Sequence, residues 1–358
     1  MSDYVSELRR DLVEAAERQA HRGRAGRTSR SLHPRAWSPT ALAGAAAVAA
    51  AIVAVVVTLT TLAPAPKPSD SKIVATVHLG GQPQDAVLAS GSLWIADFEG
   101  RVLRLDPATH RVRARIGVGG TPRSIAAGGG AVWVISNDSE TGATSSHLVK
   151  LDARSGRVLA RMPTKSYGGS LAFGAGGLWL YTTERRGDVE RIDPDSFQRT
   201  AFFPFETGKG LAVAANTVWT LQNRSVLQID PVTGRVSRIG GITSLVSDGD
   251  GAVLADRDGA WITGAVDGVL WRIEGGRVTR RIAVGALAGV IAETGSAIWV
   301  SASRTLQDGN EVVRVDPEDG KVVQRIDFGY RVPKALVPVG KDLWVITSGG
   351  EAMLVSPE

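Results

Sequence analysis

The chain has 358 residues, no cysteine, and 41 Lys and Arg against 36 Asp and Glu. Without cysteine it can form no disulfide, thiolate zinc site, catalytic thiol or lipid-modified cysteine. Residues 1–40 hold eight Arg and five acids, so the remainder carries 33 basic against 31 acidic side chains and offers no broad basic stripe for nucleic acid.

In chain order, the first expected element is a short amphipathic helix. Residues 4–20 set Val5, Leu8, Leu12, Ala15 and Ala16 at helical spacing, with Glu7, Arg10, Asp11, Glu14 and Arg18 largely elsewhere on the wheel. Such a helix would dock a partner or lie beside the inner leaflet of a membrane. From Ser38 to Pro66 no residue is charged, and Ala41–Ala63 is almost entirely Ala, Val, Leu and Ile. As a helix that run reaches about 34 Å, which crosses a hydrocarbon core of roughly 30 Å. Arg22, Arg24, Arg27, Arg30 and Arg35 precede it with no acid among them. The positive-inside rule then predicts a single pass through the cell membrane, with a cytoplasmic N-terminus and the rest of the chain extracytoplasmic. The rival expectation is a cleaved signal peptide, since Ala63-Pro64-Ala65 loosely imitates a small-x-small site; the long leader, the long apolar run and the prolines oppose it. Pro64–Ser71 predicts a short stiff spacer. The expected organisation is a basic tail over 1–40, a transmembrane helix over 41–63, a linker over 64–71 and one large domain over 72–358.

That domain is a repeat. Trp94, Trp133, Trp179, Trp219, Trp261, Trp299 and Trp344 stand 39, 46, 40, 42, 38 and 45 residues apart, each following small residues and an apolar one. Self-similarity at this period, with short strands and turns inside each unit, predicts an all-β, seven-bladed β-propeller with four strands per blade. The first blade parses as Ala86–Ala89, Ser92–Ala96, Arg101–Asp106 and Arg111–Val118. Turns recur as Asp106-Pro107, Asp193-Pro194, Asp230-Pro231 and Asp316-Pro317, often closed by glycine as at Gly234 and Gly320, and these aspartates are hairpin chemistry. The seven tryptophans are expected to fill the wedge between neighbouring sheets. The last repeat, Ala335–Glu358, stops after three strands, whereas Lys72–Leu79 matches the fourth strand of other repeats. The N-terminal strand is therefore expected to complete the last blade from outside and close the ring.

Gly-Ser-Leu-Trp-Ile-Ala (91–96), Ala-Val-Trp-Val-Ile-Ser (131–136) and Asp-Pro-Val-Thr-Gly (230–234) carry a family likeness: residues 72–358 resemble the repeats of YVTN and virginiamycin B lyase-like propellers. The resemblance implies the fold; the families contain a lyase, periplasmic binding proteins and sensor domains, so it does not settle an activity. The lyase of that kind depends on histidine and glutamate at the channel face. Here His78 falls on the expected closing strand and His110 in a turn on the opposite face, which leaves His147 in a loop near the right surface. No catalytic residue is carried over.

Ligand-binding residues are sought on the loops around the channel mouth. Ten residues before each tryptophan lies the expected loop into the innermost strand, holding Gln84, Arg123, Gly169, Lys209, Gly251, Gly289 and Lys334. Three cations around a narrow mouth would focus a positive potential and favour a carboxylate, a phosphate or an acidic polymer. Longer insertions at 136–147, 182–188 and 301–310 add His147 and Arg304 as candidates and suit a polar ligand or an envelope protein partner. Asp248-Gly-Asp-Gly and Asp256-Arg-Asp-Gly259 flank an expected strand at Ala252–Ala255, about 13 Å long, so they read as turns rather than a shared calcium site. Neither a phosphate loop nor a zinc cluster is present, and no cofactor or metal is expected. The sequence thus points to a binding or sensing module, with a lyase- or lactonase-type enzyme and an assembly scaffold as alternatives.

Overall fold

The structure is a computed structural model that describes residues 73–138, 145–164, 168–182, 188–205, 210–222, 225–242, 251–264, 267–295, 297–303 and 309–356. The expected tail helix, membrane span and spacer lie outside these residues. Among the described residues no helix is long and apolar enough to cross a membrane.

The first strand of the described residues is β1 (Ile73–His78). Blade 1 follows as β2 (Pro83–Ala89), β3 (Ser92–Asp97), β4 (Arg101–Asp106) and β5 (Arg111–Gly117). Blade 2 is β6 (Thr121–Gly128), β7 (Ala131–Asn137), β8 (Ser146–Asp152) and β9 (Val158–Thr164). Blade 3 is β10 (Gly168–Gly174), β11 (Gly177–Thr182), β12 (Asp188–Ile192) and β13 (Arg199–Pro204). Blade 4 is β14 (Leu211–Ala214), β15 (Thr217–Gln222), β16 (Ser225–Ile229) and β17 (Val236–Ile239). Blade 5 is β18 (Val253–Ala255), β19 (Gly259–Gly264), β20 (Val269–Glu274) and β21 (Arg277–Ala283). Blade 6 is β22 (Ile291–Thr294), β23 (Ala297–Ser303), β24 (Asn310–Val315) and β25 (Val322–Gly329). Blade 7 supplies β26 (Pro333–Val339), β27 (Asp342–Thr347) and β28 (Glu351–Val355), and β1 pairs antiparallel with β28 as its outermost strand. The described residues form an all-β, seven-bladed propeller of four-stranded blades, closed by β1, the first of the described strands. First strands of successive blades touch one another all the way round, from β2 through β26 and back to β2.

Burial along each blade explains the sequence pattern. The second strand lies mid-sheet with a neighbouring blade against each face, so every residue of β3, β7, β11, β19 and β23 is buried and the runs are mostly apolar or small, with Asp97 and Asn137 closing β3 and β7. The outermost strand meets water on alternate residues, and β5 accordingly reads Arg-Val-Arg-Ala-Arg-Ile-Gly. All seven repeat tryptophans are at most 4% exposed. Trp94, Trp133 and Trp179 each donate from Nε1 to the carbonyl five residues earlier, at 3.1, 3.3 and 3.1 Å, which pins the hairpin between first and second strands. Opposite the tryptophan on the third strand stands a cation in five blades: Arg104, Lys150, Arg191, Arg272 and Arg314 lie 4.9–5.8 Å from the ring centroid. Such contacts contribute about 1 kcal/mol each. Lys150 and Arg191 also donate to the carbonyls of Pro194 and Pro231 in the next blade's turn, at 2.8 and 3.3 Å. The turn returns the contact, since Phe197 packs 5.5 Å from Trp133, and His110 meets Trp344 edge-on at 5.4 Å across the closure. Within those turns Asp106, Asp193, Asp230 and Asp316 accept from backbone amides two and three residues on, as expected of hairpin residues.

Candidate functional site

The face bearing the connectors between blades holds the expected mouth. Gln84, Arg123, Gly169 and Lys334 are not in loops, as the repeat arithmetic placed them; they lie inside β2, β6, β10 and β26. In each the register slips by one, from Pro83↔Asp97 to Asp85↔Ala96, from Pro122↔Ser136 to Ser124↔Ile135, from Gly168↔Thr182 to Ser170↔Tyr181 and from Pro333↔Thr347 to Ala335↔Ile346. The candidate residue is the extra one in every case. A proline without an N–H fits a strand start on an innermost edge, and a bulge bends the strand and re-aims the inserted side chain. Gly251 and Gly289 precede β18 and β22, with no bulge. Lys209 and Arg304 lie outside the described residues, as do 139–144, 183–187 and 304–308 of the long insertions and residues 248–250 of the first aspartate-glycine segment.

The strands β26, β2 and β6 are neighbours in the ring, so Lys334, Gln84 and Arg123 occupy the same register on three consecutive blades. Their side chains differ in engagement. The Gln84 amide folds back to donate to the carbonyls of Gln82 and Pro83, at 3.1 and 3.2 Å. The Arg123 guanidinium lies 4.9 Å from the ring centroid of Phe98, in the turn after β3. Lys334 is half-buried and has no ion-pair or hydrogen-bond partner among the described residues.

Directly after the bulge stands a residue that the sequence reading passed over. Asp85 Oδ2 accepts from Ser124 Oγ at 2.8 Å and from the Ile125 amide at 3.0 Å, while Oδ1 accepts from the Ala86 amide at 2.8 Å. Ser124 Oγ accepts in turn from the Leu171 amide at 3.2 Å. No strand lies beyond β6 and β10 on their inner side, so these amides need acceptors outside the ladder, and the preceding blade supplies them. Burial pushes the Asp85 carboxyl up to about 6, against the pull of its three hydrogen bonds. The signal was available: aligned on the tryptophans, the seven repeats hold Asp85, Ser124, Ser170, Gly210, Ala252, Val290 and Ala335 here, and only one is an acid.

A second buried carboxylate fastens the closure. Asp97 accepts from the Gln82 amide at 2.8 Å and from Arg101 Nε at 2.7 Å. Gly81, at φ 74°, passes so near that a Cβ there would overlap the carboxylate. Gly120, at φ 59°, likewise has no room for a Cβ against the Asn137 carbonyl.

His147 is not in a loop, as expected from its place in an insertion, but in β8, against the connector between blades 1 and 2. One ring nitrogen bonds to Asp138 and the other to the Val118 carbonyl at 2.9 Å, where Arg161 also donates. Arg115 and Arg325 reach the equivalent connector carbonyls of Leu79 and Val284, at 3.4 and 2.9 Å. His147 therefore belongs to a set of fasteners that hold three of the connectors to the following blade. Asp256 is engaged as a turn residue too, accepting from the Asp258 and Gly259 amides at 2.8 Å each and pairing with Arg272. Among the described residues no group of three or more His, Asp or Glu is placed to hold a metal ion. The arrangement offers two cations and an amide on adjacent bulges, which suits holding an anion. Neither a protein-family model nor a curated protein matches the chain.

Proposed function

We propose that the chain is a membrane-anchored, extracytoplasmic propeller of the YVTN and virginiamycin B lyase-like kind, which binds an anionic or polar small ligand at the mouth over blades 7, 1 and 2 and acts as a binding or sensing module. The observation that supports this reading is the run of four bulges at one register on consecutive blades, of which blades 7, 1 and 2 carry Lys334, Gln84 and Arg123 and blade 3 carries Gly169. A bulge that only terminated pairing would need no particular side chain, whereas two of these four residues are cations. The anchor rests on the uncharged run 41–63 and the five arginines before it. Binding is favoured over a lyase because both ring nitrogens of His147 are engaged in fastening a connector.

The test is a thermal-shift screen of the full chain against carboxylates, phosphates and acidic oligosaccharides, repeated on Arg123→Glu/Lys334→Glu. A ligand that binds only the native state at one hundred times its Kd adds about 2.7 kcal/mol. The reading requires a shift that the double reversal abolishes while the unliganded midpoint stays near wild type. A shift that survives the reversal would retire the cationic mouth, and a flat screen would move the interaction to an envelope protein partner.

A further inference from the structure

Three connectors on the mouth face follow one plan: a buried apolar residue, a glycine, and then a proline that opens the innermost strand. Between blades 7 and 1 the chain reads Leu79-Gly-Gly-Gln-Pro83, and between blades 1 and 2 it reads Val118-Gly-Gly-Thr-Pro122. Between blades 6 and 7 it reads Phe328-Gly-Tyr-Arg-Val-Pro333, one residue longer. Leu79, Val118 and Phe328 are at most 2% exposed, as plugs should be. Tyr330, by contrast, is 95% exposed, and Val332 beside it is 43% exposed. Two sister connectors cross the same gap with glycine at this place, so the ring needs no tyrosine here.

The turn that displays Tyr330 is fastened on both sides. The Gly329 amide donates to Asp327 Oδ1 at 2.7 Å and the Arg331 amide to the Phe328 carbonyl at 3.1 Å. Arg331 Nε donates to Glu351 Oε2 at 2.7 Å, and the Ser348 amide to the Val332 carbonyl at 2.9 Å. A bare aromatic ring held out by an ordered turn, four residues before Lys334, is arranged to meet something flat at low entropic cost.

Resting on the anion-binding reading above, we propose that the ligand of this mouth is an anion carrying a flat ring, with Lys334 meeting its charge and Tyr330 stacking on its ring. Titration calorimetry of the full chain with phenyl phosphate, cyclohexyl phosphate and inorganic phosphate separates the two parts. The expected result is that phenyl phosphate binds about fivefold tighter than either other compound, as one stacking contact provides. Tyr330→Ala should erase that advantage and leave inorganic phosphate unchanged, since the side chain is exposed and supports no packing; Lys334→Glu should weaken all three. Equal affinities for the three compounds, or an advantage that survives Tyr330→Ala, would overturn the stacking role while leaving the mouth intact. Binding of none of them would overturn both.

Discussion

Blades 7, 1, 2 and 3 differ from blades 4, 5 and 6 at one place, the innermost strand. In the first group it runs seven or eight residues and carries a bulge near its start; in the second it shrinks to four, three and four residues with regular register. Outward of it, all seven blades share the buried tryptophan on the second strand. The comparison separates two jobs within one repeat. The second and third strands build the ring, and the innermost strand is left free to vary, because only one of its edges is committed to the sheet.

The seam offers the largest way to sharpen that division, because it lies inside the bulged half. Removing β1 strips blade 7 of its outer strand and uncovers Met353 and Val355, which are 5% and 0% exposed. A chain lacking residues 73–78 is expected to lose its single cooperative unfolding transition, as followed by circular dichroism; an unchanged midpoint would mean that the ring closes without it. Next in size, Trp133→Ala and Trp219→Ala compare a tryptophan from each half. Both should cost about 3–5 kcal/mol in denaturant unfolding. Trp133 also stacks on Phe173 and carries Lys150, whereas Trp219 faces Gln228, so Trp133→Ala should cost about 1 kcal/mol more. Equal losses would show that the cations add nothing to the wedge.

Asp85 gives a smaller effect with a distinct pH signature, confined to the bulged half because Gly210, Ala252 and Val290 hold its place in the other. Its folded pKa of about 6 stands above the ordinary 3.8, so between those values the native chain keeps a proton that the unfolded chain has released. Stability from this group therefore falls as pH rises from about 4 to about 6, by at most about 3 kcal/mol, less to the extent that a half-buried Asp85 keeps water. Asp85→Asn should flatten the stability profile across that window, at the cost of one of the hydrogen bonds that the two carboxylate oxygens accept. An Asn variant with the same slope as wild type would place the titration elsewhere.

The ring was legible in the sequence, because burying a large aromatic side chain in every blade fixes a period that loop variation cannot hide. Seven tryptophans give seven blades, and Lys72–Leu79 betrayed the seam by resembling a strand the last repeat lacks. The bulges were not legible. An inserted residue shifts the inward and outward alternation by one, which in a short strand looks like an earlier loop end, and only the prolines at 83, 122 and 333 hinted at it. Asp85 escaped because a carboxylate inside a strand has meaning only once the neighbouring blade's amides are in place. His147 was read as a loop residue for a related reason, since its partners Val118 and Asp138 come from the connector before its blade and from the residue after β7.

Backbone hydrogen exchange with and without saturating phenyl phosphate tests most directly whether the bulged half is the working half. The account predicts that added protection falls on β26, β2 and β6 and in the connector holding Tyr330, with β14, β18 and β22 unchanged. Protection centred on β14, β18 and β22, or on outermost strands alone, would contradict it.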